Sequence, residues 1–217
     1  MSSPIQAVAF DMDGLMLNTE DLYEEVLQQL MVRRGGIYSP SVRRRMMGLP
    51  APQAFEVLIQ AEKLTESWEE LQAECDAIFV DLLPAKVRPM PGLLTLLDRL
   101  TDRKLPRCVA TSSRRTFATD ALRLAGVLDQ IDWILTAEDV PRGKPFPDIY
   151  LAAAERFHID VSTMLVLEDS GHGTQAAVAA GAYTISVPGA HSRAQNFDGA
   201  RIVVDSLEDA RISELLS

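Results

Sequence analysis

Ile5-Gln6-Ala7-Val8-Ala9-Phe10-Asp11-Met12-Asp13-Gly14 is a short apolar run that stops abruptly at acid. Such a run predicts a buried parallel strand with Asp11 just beyond its carboxyl end. Similar runs recur at Arg107–Ala110, Trp133–Thr136 and Met164–Leu167. Tyr183–Val187, stopped by Pro188-Gly189, and Arg201–Val204 are further candidates. Helical patterns separate them: Phe117–Leu124 after the second strand, Asp148–Phe157 after the third and Thr174–Ala180 after the fourth. Strands alternating with helices in this way predict an α/β fold, a Rossmann-like parallel sheet with helices on both faces.

One segment breaks the rhythm. From about Thr19 to Pro89 no strand pattern occurs, and helices are expected at Asp21–Arg34, Ser41–Met47, Gln53–Lys63 and Ser67–Leu83. Gly35-Gly36, Ser39-Pro40 and Pro50-Ala51-Pro52 punctuate them, and Pro89-Met90-Pro91-Gly92 closes the block. We therefore expect an α/β core domain formed by residues 1–17 and 90–217, and an inserted helical cap at 18–89. An insertion at that point would overhang the carboxyl ends of the strands, where open α/β sheets bind ligands.

Composition narrows the function. The 217 residues carry 21 Lys plus Arg against 31 Asp plus Glu, a net charge of −10. That balance argues against nucleic acid or an anionic membrane as the main partner. No stretch approaches the length of a membrane span, and Met1–Pro4 has no basic leader, so a cytoplasmic protein is expected. Cys75 and Cys108 form no CxxC motif and are expected to be reduced thiols. A single core leads us to expect a monomer.

Four short motifs stand just past the expected strands. Asp11 and Asp13 flank one residue. A bare D-x-D is commonly a polar turn, yet two such carboxylates at 4 Å repel by ~4 kcal/mol at an effective dielectric near 20. A divalent cation removes that cost, and Mg²⁺ takes carboxylates, backbone oxygens, water and phosphate. Glu168-Asp169-Ser170 follows its strand as Asp11 does, and can cap a helix and hold a metal at once. Thr111-Ser112-Ser113 offers hydroxyls and backbone N–H groups, suited to a helix cap or to an anion. Lys144, between Gly143 and Pro145, would alone be read as a surface charge. Their shared placement gives them meaning: acid, metal site, hydroxyl and cation are what phosphoryl transfer requires. Up to four negative charges, on Asp11, Asp13, Glu168 and Asp169, face one lysine, so a phosphate dianion needs a metal cation to enter.

Phe10–Gly14, Thr111-Ser112, Lys144-Pro145 and Glu168-Asp169-Ser170 resemble, in order, the four motifs of the haloacid dehalogenase superfamily. The resemblance spans nearly the whole chain. It is strongest to the branch with a helical cap that holds β-phosphoglucomutase and the pseudouridine-5′-phosphatase-like and sugar-phosphate phosphatases. It implies a Mg²⁺-dependent phosphatase acting on a small phosphorylated metabolite of the sugar or nucleoside monophosphate type. Asp11 would be the nucleophile, forming an aspartyl phosphate, and Asp13 the general acid and base. Asp11, the Asp13 carbonyl and Asp169 would hold Mg²⁺, with Glu168 beside it or bound through water. Thr111, the Ser112 N–H and Lys144 would receive the phosphoryl oxygens. Arg114, just after the Thr111 loop, is a candidate contact for the rest of the substrate. Asn18 stands where an aspartate is usual. A sugar phosphomutase and a non-catalytic phospho-ligand binding module are the alternatives. In β-phosphoglucomutases a histidine follows the first motif and an arginine lies in the cap; the matching positions here, counted from Gly14 and Gly48, are Tyr23 and Ala51.

Other residues are read more plainly. Arg43, Arg44 and Arg45 form a solvated helix face. His172 lies near the fourth motif, but His158 and His191 do not cluster with it, so no histidine metal site is expected. Met46, Met47, Trp68 and Trp133 are read as packing residues.

Overall fold

A computed structural model describes residues 5–46, 49 and 51–216. The chain divides into two compact units, Met1–Thr19 with Val87–Ser217, and Glu20–Lys86. In the first unit the strands are β1 (Ala7–Phe10), β2 (Arg107–Ala110), β3 (Trp133–Leu135), β4 (Met164–Glu168), β5 (Tyr183–Ser186) and β6 (Ile202–Val203). They form one parallel sheet in the order β3-β2-β1-β4-β5-β6. Phe10 lies beside Val109 on one side and Leu167 on the other. β1 is thus the central strand, and the order reverses around it.

The apolar strand sequences follow from burial on both faces. Ala7 and Ala9 of β1, Cys108 and Ala110 of β2, and Met164 and Val166 of β4 share a core with two helices. These are α7 (Asp148–Phe157) and α8 (Gly171–Ala180), which contribute Ile149, Tyr150, Ala153, Ala154, Ala176 and Ala177. Small residues on the strands leave room for Tyr150, which is completely buried. Val8, Phe10, Val109, Leu165 and Leu167 are equally buried. The other helices of this unit are α5 (Leu93–Asp102), α6 (Arg115–Leu124) and α9 (Ala210–Leu215).

The helical unit contains α1 (Thr19–Val32, begun in the first unit), α2 (Pro40–Met46), α3 (Ala51–Glu62) and α4 (Trp68–Lys86). Val26, Leu30, Leu58, Leu71 and Ile78 form its buried interior. Tyr23 packs on Phe79 with ring centroids 4.5 Å apart. Arg34 ties the end of α1 to Glu66 at 2.9 Å and Glu74 at 2.7 Å. Met46 is buried, whereas Met47 and Gly48 lie outside the described residues.

Three of the described helices differ from expectation, and the short α9 is one that the sequence reading did not expect. α5 went unrecognised although Leu93, Leu96, Leu97 and Leu100, all buried, have i, i+3, i+4, i+7 spacing. α4 runs past Leu83, through Pro84, to Lys86. Cys75 and Cys108 are free and buried. Among the described residues no helix is long and apolar enough to cross a membrane.

Candidate active site

The first and fourth motifs meet because β1 and β4 are neighbours in register. Asp11 follows β1 directly, and its N–H donates to Leu167 O at 3.0 Å. Glu168 closes β4 and Asp169 follows it. On the other side of β1, Thr111 follows β2, and its N–H donates to Leu135 O at 3.0 Å. Each strand of the central trio therefore delivers its polar residue at the same edge of the sheet.

Lys144 arrives from beyond β3 and is a buried cation, 5% exposed at the side chain. Its ammonium donates to Asp11 Oδ1 at 2.5 Å, Glu168 Oε1 at 2.6 Å and Ala110 O at 2.9 Å. Three donors thus meet three acceptors. Burial alone would lower the Lys144 pKa, but Asp11 and Glu168 outweigh it and hold the ammonium well above its ordinary value. Burial pushes the Asp11 carboxyl up; Lys144 opposes this, while Glu168, Asp169 and Asp13 add to it.

Three further acids therefore crowd around Asp11, with one lysine to oppose them. The surroundings fit a hard cation. Asp11, Glu168 and Asp169 are all buried, and each offers a ligand oxygen, the three lying within 4.8 Å of one another. Carboxylate oxygens are the donors that Mg²⁺ and similar ions prefer. Asp169 is steadied from behind by Ser192, whose Oγ donates to its Oδ2 at 3.4 Å.

Asp13 occupies a different setting, half-buried and ringed by hydroxyls. Its Oδ1 accepts from Thr19 Oγ1 at 2.7 Å. Its Oδ2 accepts from Ser113 Oγ at 2.7 Å and Thr111 Oγ1 at 3.1 Å. Thr111 Oγ1 in turn accepts from the Ser113 N–H at 3.0 Å. Gly14, at φ +80°, turns the chain immediately after Asp13. The two acids of the first motif therefore face opposite chemistries: Asp11 faces a lysine and further acids, Asp13 three alcohols.

The remaining candidates are more peripheral. Ser112 and Arg114 are exposed, Arg114 at the start of α6. His172 is exposed at the start of α8. Asn18 Oδ1 accepts from the Arg88 N–H at 2.7 Å, a role open to an aspartate oxygen as well. Arg43 pairs with Glu24 at 2.6 Å, while Arg44 and Arg45 are exposed.

Several contacts of the site escaped the sequence reading, although Ser113 was named there as a hydroxyl of the third motif. Ser113 and Thr19 hold Asp13, Ser192 touches Asp169, and the Tyr150 hydroxyl donates to Glu168 Oε1 at 2.7 Å. Gly173 is the least conspicuous. A Cβ there would lie 1.7 Å from Glu168 Oε1, so this glycine makes the space for the buried carboxylate. Ser170 N-caps α8 by accepting from the Gly173 N–H, as its position after β4 suggested.

Known proteins share this architecture. The profile of the haloacid dehalogenase-like hydrolases matches residues 8–187. A phosphorylated carbohydrates phosphatase of Thermotoga maritima is 31% identical over 181 residues, 82% of either chain. A (DL)-glycerol-3-phosphatase of Arabidopsis thaliana is 32% identical, covering 97% of this chain and 90% of its own. Among solved structures, a Thermotoga maritima protein provisionally named a β-phosphoglucomutase superposes with a TM-score of 0.86. Its identity is 26%, with 98% of this chain and 100% of that chain covered.

Proposed function

This chain belongs to the haloacid dehalogenase-like hydrolases and is a phosphoric monoester hydrolase, and from that premise we propose a Mg²⁺-dependent, covalent phosphatase of small phosphorylated metabolites. The observation that carries the reading is the pairing of Asp11 with Lys144 and two further acids, beside an Asp13 held apart by alcohols. Asp11 and Asp169, with the Asp13 carbonyl, would hold the ion, and Glu168 would stand behind them. Bound Mg²⁺ would neutralise the acids and draw charge from the phosphoryl oxygens.

An Asp11 oxygen attacks phosphorus in line, and the bond from phosphorus to the ester oxygen breaks. Asp13 gives its proton to the departing oxygen, leaving an alcohol and an aspartyl phosphate. A water then attacks phosphorus and loses a proton to Asp13, and the phosphorus–Asp11 bond breaks. Inorganic phosphate is released and both acids return to their starting states. Lys144 fixes the attacking carboxylate and lies beside the charge that develops on phosphorus. Thr111 and Ser113, which donate to Asp13, would hold it between its two proton transfers, and the Ser112 N–H would meet a phosphoryl oxygen.

The substrates named for the two relatives are a phosphorylated carbohydrate and a phosphorylated polyol. We extend that class to this chain, with Arg114 a contact for the non-reacting part of the substrate. Mutase chemistry is disfavoured by Tyr23 and Ala51, neither of which can grip a distal phosphate by positive charge. The test is a panel of sugar, polyol and nucleoside monophosphates with Mg²⁺ or EDTA. Phosphate release that EDTA abolishes is expected; isomerisation of hexose phosphates faster than phosphate release would overturn the reading.

A further inference from the structure

Glu168 is fully buried, and its four acceptor positions are all engaged. Oε1 takes the Lys144 ammonium at 2.6 Å and the Tyr150 hydroxyl at 2.7 Å. Oε2 takes the Ser170 N–H at 3.2 Å and the Ser170 hydroxyl at 3.1 Å. A carboxylate so occupied has no lone pair to offer a metal without surrendering a partner. Asp11 and Asp169, which stand beside it in the acid cluster, are the direct ligands proposed above.

Tyr150 is the part of this arrangement with no role in the proposed chemistry. It is completely buried on α7, among Ala7, Ala9, Ala153 and Ala154. A buried tyrosine needs a partner for its hydroxyl, and here the partner is the buried acid. Lys144 Nζ also lies 5.2 Å from the centroid of its ring, within cation–π range. One side chain therefore touches both members of the Lys144–Glu168 pair, one through its hydroxyl and the other through its ring.

We infer, resting on the phosphatase reading above, that Tyr150 is a positioning residue that locks Glu168 as the fixed counter-ion and anchor of Lys144, rather than as a direct metal ligand. Without the hydroxyl, Oε1 would keep only Lys144, and the carboxylate could rotate about its remaining bonds. Lys144 would then lose the geometry in which one ammonium holds both Glu168 and the nucleophile. A change in Tyr150 should thus weaken stabilisation of the transition state while leaving metal binding largely untouched.

The test compares wild type and Tyr150→Phe in three measurements: steady-state kinetics, Mg²⁺ binding by calorimetry, and melting temperature. For the variant we expect kcat lowered about tenfold, the worth of one buried hydrogen bond to a charged group. KM and the Mg²⁺ dissociation constant should each stay within about threefold. An amine donor supplied by p-aminophenylalanine at position 150 should restore most of kcat. An unchanged kcat, whatever happens to the melting temperature, would overturn the positioning role. Mg²⁺ affinity weakened more than about tenfold would overturn the counter-ion assignment, because Tyr150 would then be anchoring a metal ligand. Should Tyr150→Phe fail to fold, p-aminophenylalanine and p-methylphenylalanine at position 150 compare a donor with a filled but donor-free cavity, read by the same criteria. A wild type without Mg²⁺-stimulated phosphate release would refute the phosphatase reading itself, an outcome distinct from an active wild type with an indifferent variant.

Discussion

Replacing Gly173 by alanine adds one methyl group beside the carboxylate that anchors Lys144. On an ordinary helix the change would be favourable, since alanine is preferred over glycine by about 1 kcal/mol. Here the added carbon would sit 1.7 Å from Glu168 Oε1, 1.9 Å from Cδ and 2.2 Å from Oε2. No rotation of a methyl group relieves such overlap, so the carboxylate or the first turn of α8 must move. Moving the carboxylate disturbs its bonds to Lys144, Tyr150 and Ser170 at once. Disrupting a buried ion pair costs about 3–5 kcal/mol, leaving a net loss of roughly 2–4 kcal/mol after the gain in helix propensity. For a chain of 217 residues that corresponds to a melting temperature lower by about 4–16 °C. Gly143→Ala is the control, since an added Cβ there meets nothing within 4 Å. Calorimetric melting of both variants, alongside phosphate release, makes the comparison. A Gly173→Ala protein as stable and as active as Gly143→Ala would refute the packing reasoning.

Other expectations concern separate parts of the chain. Asp13→Asn should keep Mg²⁺ binding while slowing turnover of esters with poor leaving groups by about 10²–10⁴-fold; calorimetry and stopped assays check both halves. Burial pushes the Cys75 thiol up to about 12 and Cys108 well above its ordinary value, so neither should react with a disulfide reagent at about pH 8 until the protein is unfolded. Arg34 holds the Glu74 carboxyl below its ordinary 4.5, so that stabilisation is full at neutral pH and is lost as pH falls through and below that value. The gap in melting temperature between wild type and Arg34→Met should therefore be widest near about pH 7 and shrink towards about pH 3.

The parts of the fold that could be read in the sequence were those where one physical cause dominates. β1 and β4 are buried on both faces, so their residues had to be apolar, and the acids after them marked where the sheet ends. α5 has an equally clear stripe of leucines, but it begins directly after Pro89-Met90-Pro91-Gly92, whose breaker signal masks the start of a helix. The end of α4 misled for a local reason: Pro84 lacks an N–H, but the helix continues past it for two residues. Around the site, Asp11 and Lys144 could be named from their shared placement beyond the strand ends, although Lys144 alone reads as a surface charge. Thr19, Tyr150 and Ser192 could not, and Ser113 was named only as one hydroxyl of the third motif. Hydroxyl groups are common, and their importance here lies in which buried carboxylate each one reaches, a property of packing across 6 to 100 residues of chain. Gly173 was likewise silent, because a glycine that clears space for a distant side chain looks the same as one that opens a helix.

The proposal that Asp11 is the nucleophile rests on its place between Lys144 and the acid cluster, and it predicts a covalent state that can be caught. Rapid acid quenching during turnover, followed by borohydride reduction, converts an aspartyl phosphate into homoserine, which peptide mass spectrometry locates. Homoserine at position 11, formed only with substrate and Mg²⁺ and absent from Asp11→Asn, is the predicted result. Modification at another residue, or undiminished turnover by Asp11→Asn, would contradict it.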